Sequence, residues 1–146
     1  MKKRLHLLFL GFYCLLTGQE IQSPSQFLGY ELGTDFTRHH EVIDYFQYLS
    51  EQAPQNVKLS FYGKTNERRQ LLLAFVSSEE NMANLESLRS AHIKSTEGGN
   101  TASKAIVWLS YNVHGNESVG TEASLQTIYE LLTSKKQYLD NTIVII

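Results

Sequence analysis

Tyr111-Asn112-Val113-His114-Gly115-Asn116-Glu117-Ser118-Val119-Gly120 is the stretch on which the fold turns. Ahead of it runs Ala105-Ile106-Val107-Trp108-Leu109, five apolar residues in a row, the mark of a strand covered on both faces. Behind it, Ser118 to about Thr133 reads as a helix, with Ser124, Ile128 and Leu131 on one side and Leu125 and Leu132 beside them. Thr142-Ile143-Val144-Ile145-Ile146 is then another buried strand. A strand, a crossover helix and a second strand of this kind form a right-handed parallel unit. Open α/β sheets bind ligands at the carboxyl ends of their strands. His114, where the first strand is expected to end, and Glu117, where the helix begins, fall at that edge.

Upstream, the pattern alternates. Ser23-Pro24-Ser25 carries the signal of a linker. Thr37 can cap a helix from Arg38 to about Gln52, with Val42, Phe46 and Leu49 on one face and Ile43 beside them. Ala53-Pro54 ends it. Val57, Leu59 and Phe61 alternate with Lys58, Ser60 and Tyr62, which predicts a half-buried strand. Gly63 to Gln70 is a charged turn, and Leu71 to Val76 a second, more buried strand. Ser77-Ser78-Glu79-Glu80 has the form of a capping box opening a helix with Met82, Leu85 and Leu88. Ser95 to Ser103 reads as a loop. No internal repeat is visible.

Composition narrows the class. The chain has 146 residues, 42% hydrophobic and 19% charged, which suits one domain with a real core and excludes a disordered or low-complexity segment. The net charge is −2, and three of the basic residues, Lys2, Lys3 and Arg4, crowd at the start. Beyond them ten basic side chains face all 15 acidic ones. Such a body does not fit a nucleic-acid partner, which needs a basic face. Lys2-Lys3-Arg4 leads into an apolar run, Leu5 to Leu16, that turns polar at Thr17. These are the proportions of a secretory signal, and the run is too short for a stable membrane span. Residues 1–18 are expected to be removed, leaving 19–146 as a secreted or periplasmic body. The single cysteine, Cys14, falls inside the signal, so the mature chain has no disulfide framework.

The chemistry rests on His114 and Glu117. An imidazole nitrogen and a carboxylate oxygen three residues apart across a tight turn can point at one ion, and the pair suits Zn²⁺. Gly115 would let the backbone turn between them. With 5 histidines in the chain, a His-x-x-Glu spacing arises by chance roughly 0.4 times, so the spacing alone decides nothing. A strand-end His and a first-turn Glu favoured by the helix dipole would look the same. Placement between a buried strand and a helix is what adds weight.

The sequence also resembles the M14 zinc carboxypeptidases. Asn112-Val113-His114-Gly115-Asn116-Glu117-Ser118-Val119-Gly120 is similar to the His-Gly-Asn-Glu form of their regulatory branch. Tyr62-Gly63-Lys64-Thr65-Asn66-Glu67-Arg68-Arg69 resembles the family's turn before its second strand, and Thr142 to Ile146 the strand that leads into its Asn-Pro-Asp-Gly segment. The likeness spans roughly Phe27 to Ile146; the helix between Ser77 and His92 looks like an insertion seen in some bacterial members. It implies an α/β fold, a mixed sheet flanked by helices, present as the N-terminal portion of the catalytic domain. It implies His114 and Glu117 as two zinc ligands and peptide or protein C-termini as substrates. Asn116 stands where some members have Arg and is the candidate substrate-binding residue. The third ligand, the carboxylate-binding arginines and the general base would lie downstream, so no catalytic residue is assigned here and the segment alone is expected to be inactive. The chain also stops inside an apolar strand, which suggests the start of a longer protein. His39, His40 and His92 match no motif and read as surface or helix-end residues.

Two other readings share this pattern. One is a zinc-dependent deacylase of the aspartoacylase type, which also uses His-Gly-x-Glu. The other is a non-catalytic binding module that keeps the fold without the metal. The export signal and the two strands before the buried one favour the peptidase.

Overall fold

The computed structural model of the chain describes residues 20–99 and 104–146. The expected signal segment, Cys14 with it, lies outside the described residues.

Ser23-Pro24-Ser25 is not a linker but the opening of a short helix, α1 (Pro24–Leu28). The Ser23 hydroxyl accepts the Gln26 N–H and the Gln26 side chain accepts the Ser23 N–H, a reciprocal cap that the proline at the first position does not disturb. Helix α2 (His39–Gln52) buries Tyr45, Phe46 and Leu49. Its cap is Arg38 rather than the expected Thr37, and the Arg38 N–H is taken by the Glu41 carboxylate at 2.7 Å. Val42 packs against the core from the same face, and Ile43 faces a cleft described below.

Strands β1 (Val57–Lys64) and β2 (Gln70–Val76) form an antiparallel hairpin with a bulge between Phe61 and Gly63. The expected alternation in β1 holds at Val57 and fades along the strand, until Phe61 is 42% exposed. The helix expected after Ser78 is broken at Asn84 into α3 (Glu79–Ala83) and α4 (Leu85–Thr96). Ser78 alone caps it, because the Ser77 hydroxyl is buried elsewhere. That hydroxyl sits 2.8 Å from the Thr142 carbonyl and accepts the Asn81 side-chain amide, which also donates to the Leu139 and Asp140 carbonyls. These bonds tie α3 to the turn before the last strand.

Strand β3 (Ala105–Trp108), helix α5 (Ser118–Leu132), a 3-10 turn (Lys136–Asp140) and strand β4 (Thr142–Ile145) complete the described chain. The sheet order is β1-β2-β4-β3. Strands β3 and β4 pair in parallel, Ala105 opposite Thr142 through Trp108 opposite Ile145, and β4 runs antiparallel to β2. The expected parallel unit and the mixed sheet are therefore present. The core lies where α2 and α5 cover β1, β2 and β4: Tyr45, Leu49, Val76, Leu125 and Ile128 have no accessible surface.

One expectation fails clearly. The run from Ala105 to Leu109 is not covered on both faces. Among the described residues β3 is an edge strand, and Ile106, Val107 and Trp108 are 36%, 39% and 66% exposed. Ile106 and Trp108 thus do not belong to the core, whereas Ile128 does. Continuous apolarity says that a strand is fit to be buried; it does not supply the neighbour that buries it.

Candidate metal centre

The chain leaves β3 at Trp108 and crosses to α5 through residues 109–117, so His114 lies in that loop, not at the strand's last residue. Asn112 bends the loop with φ 58, a left-handed conformation that asparagine tolerates better than most residues. The Glu117 N–H donates to the His114 carbonyl at 3.0 Å and closes a four-residue turn with Gly115 and Asn116 at its centre. Gly115 is not the hinge it was expected to be. Its φ is not positive, and a Cβ there would meet nothing within 4 Å. The closer approach is at Gly120, in the first turn of α5, where a Cβ would lie 3.2 Å from the Asn112 backbone nitrogen and the loop would have to give by a few tenths of an ångström. Its missing side chain lets the loop fold back onto the helix.

Within this turn the structure brings the two sequence-picked side chains together. His114 Nδ1 and Glu117 Oε1 are 3.3 Å apart, with side chains 69% and 60% exposed. An exposed contact of this length adds little to stability. Two donors each about 2.0–2.1 Å from a tetrahedral ion stand about 3.3–3.4 Å from one another, so the pair fits one zinc. Glu117 also occupies the cap position of α5 without making a cap bond, leaving its carboxylate uncommitted to the helix. Among the described residues no group of three or more His, Cys, Asp or Glu side chains could hold an ion together, so His114 and Glu117 stand there as a pair.

Beside the pair opens a cleft of about 950 Å³ at the carboxyl ends of β1 and β4. Gly115 and Asn116 line it together with Ser118 and Thr121 of α5, Phe36, Thr37 and Arg38 before α2, His39 and His40 at its start, and Tyr62, Arg69 and Gln70 of the β1-β2 hairpin. Asn116 is exposed next to both candidate ligands, as a substrate-facing residue would be. His39 and His92 are helix residues as expected, but each is partly buried and engaged. His39 Nε2 is 2.9 Å from the Gln70 carbonyl and His92 Nε2 is 2.6 Å from the Lys104 carbonyl. Neither reaches the His114 turn. The residue that sequence reasoning missed is Glu122, buried on α5 one turn beyond Glu117. Its one sequence signal is a carboxylate among the small and apolar residues of the helix's buried side.

The fold thus sets a His and Glu pair on the loop between a strand of a mixed sheet and its crossover helix. Residues 42–146 match the zinc carboxypeptidase (peptidase M14) family model, and the chain belongs to that family. Among solved structures it is similar to the carboxypeptidase A from Helicoverpa armigera, with a TM-score of 0.57 and 20% identity over 84% of this chain. That likeness concerns the fold, and the chain spans 29% of the length of that structure's chain. No curated protein matches significantly.

Proposed function

We propose that the complete protein is an exported zinc metallocarboxypeptidase that removes C-terminal residues from peptides and proteins. In this reading residues 1–18 are a signal peptide and 19–146 the N-terminal part of the catalytic domain, secreted or periplasmic. The observation that carries the reading is the 3.3 Å approach of His114 Nδ1 to Glu117 Oε1 at the ligand-binding edge of a family-matched sheet.

His114 and Glu117 would hold the zinc, each on one side of a turn short enough to fix their spacing. A zinc ion in such a site polarises a scissile carbonyl and makes bound water acidic. Asn116, between the ligands and open to solvent, can donate its side-chain amide to a substrate carbonyl or accept a substrate N–H. The cleft beside it offers Thr121, Ser118 and Asn112 as further hydrogen-bonding groups. The third ligand and the general base belong to chain beyond this segment.

The test is substitution in the full-length protein. His114→Ala and Glu117→Ala should each abolish bound zinc and release of C-terminal residues. Both side chains are exposed, so removing them opens no cavity and circular dichroism should change little. Metal analysis with a peptide-release assay decides, and retention of full zinc and activity by either variant would refute the assignment.

A further inference from the structure

We propose that Glu122 is a positioning residue. Its buried carboxylate fastens the segment from Gly29 to Arg38 onto helix α5 and so sets part of the lining of the cleft beside the His114–Glu117 turn. Its effect on the substrate rests on the carboxypeptidase reading; its role as a fastener does not.

Glu122 is only 9% exposed. One carboxylate oxygen accepts the backbone N–H of Gly33, and the other accepts the Thr37 hydroxyl at 3.1 Å. Thr37 in turn accepts the Tyr30 hydroxyl at 2.9 Å. Among the described residues no Lys, Arg or His pairs with Glu122, so its charge is answered by these donors alone. Hydrogen bonds to an ionised acceptor are about twice as strong as neutral ones. A buried carboxylate stripped of them would be costly.

The rest of the segment's hydrogen bonding points elsewhere. Leu32 N–H and the Glu31 carboxylate meet Ser25 of α1, Thr34 bonds Glu31, and Arg38 N–H goes to Glu41 of α2. Among the described residues, Glu122 therefore makes the only hydrogen bonds between this segment and α5. Gly33 has φ 87, which turns its N–H toward the carboxylate in a conformation that other residues adopt only with strain. Phe36, Thr37 and Arg38 then follow and line the same cleft as Gly115 and Asn116. Helix α5 thus carries Glu117 at its start and, five residues on, the group that holds this part of the lining in place.

The experiment uses the full-length protein with Glu122→Ala, Glu122→Gln and Thr37→Val. Hydrogen exchange is followed on peptides covering residues 29–38, and steady-state hydrolysis is measured on an N-acylated dipeptide. Loss of charged hydrogen bonds predicts exchange at least about tenfold faster in this segment for Glu122→Ala. KM should rise by a similar factor, with kcat changed far less. Glu122→Gln, whose amide can still accept from Gly33 and donate to Thr37, should restore most of the protection and of KM. Thr37→Val keeps the carboxylate and the Gly33 bond, so it should fold normally and show a smaller shift in both readouts. Unchanged exchange over residues 29–38 in both Glu122→Ala and Thr37→Val would overturn the fastening role. Faster exchange with unchanged KM would overturn the positioning of the cleft wall. A wild-type protein without hydrolysis would instead sink the carboxypeptidase reading, and the exchange arm would still decide the fastener.

Discussion

At the scale of single residues, the turn between β1 and β2 holds a side chain that the backbone disfavours. Arg68 has φ 64, and its N–H closes the turn onto the Thr65 carbonyl at 2.8 Å. A left-handed conformation costs a residue with a Cβ roughly 1–2 kcal/mol, more than glycine loses in extra unfolded-state freedom. Arg68→Gly should therefore stabilise the chain by about 0.5–1 kcal/mol. Urea denaturation checks this through the midpoint, and a lower midpoint would show that the arginine side chain contributes more than its strain costs. The contrast with the candidate metal centre is instructive. His114 and Glu117 were legible because they are three residues apart and their meeting needs one local turn. Glu122 was not, because Gly33 and Thr37 lie 89 and 85 residues away.

At the scale of elements, α1 and α2 are joined by tyrosines. The rings of Phe27, Tyr45 and Tyr48 pack with centroids 5.1 to 6.0 Å apart, Tyr45 and Tyr48 stacked and Phe27 tilted against both. Tyr45 donates its hydroxyl to the Gln22 carbonyl at 2.9 Å, while the Gln22 N–H donates to the Tyr48 hydroxyl at 2.8 Å. Both backbone groups of Gln22 are thus held from α2. Burial pushes the Tyr45 phenol well above the ordinary tyrosine range, helped by the nearby Tyr129 and Tyr48. The sign follows from linkage. Below about pH 10 the folded and unfolded phenols both keep their proton, and the buried group's stabilisation is fully present. Above that the unfolded phenol ionises first, so stability falls as pH rises toward the folded value. Denaturation midpoints between pH 8 and 11 should therefore decline more steeply in the parent than in Tyr45→Phe. That variant should start lower by about 1 kcal/mol for its lost hydrogen bond. Equal slopes would mean that Tyr45 is not the group responsible.

At the scale of the whole molecule, the sheet is asymmetric. Among the described residues its β1-β2-β4 side carries α2 and α5, while β3 presents an open edge with Trp108 two-thirds exposed; Val113 of the loop that follows and Val119 of α5 are exposed too. An apolar edge strand is a template for pairing with other polypeptide. The 146-residue chain should accordingly self-associate with rising concentration, and Val107→Lys should suppress this. Trp108 is the only tryptophan, so its fluorescence reports this edge alone. At low concentration it should be readily quenched by acrylamide, and less so as association proceeds. Sedimentation that stays monomeric, together with a protected tryptophan, would contradict the exposed edge.

What the sequence determined by itself is what short-range periodicity and spacing can carry. Two-residue alternation and runs of apolar residues marked the strands, and helical spacing marked α2 and α5. The three-residue spacing of His114 and Glu117 marked the candidate metal pair. These depend on backbone geometry within a turn or two of the residue concerned. The tertiary structure decided what depends on partners far along the chain. It made Ser23-Pro24-Ser25 a cap, because Tyr45 and Tyr48 hold Gln22 in place next to it. It took Thr37 from the start of α2 and Ser77 from the start of α3, giving their hydroxyls to a buried carboxylate and to buried carbonyls. It left Ile106 and Trp108 exposed, because a strand's burial is set by which elements lie against it, and none of the described ones covers β3. A residue's own chemistry says which environments it can occupy; only the packed chain supplies the one that it does occupy.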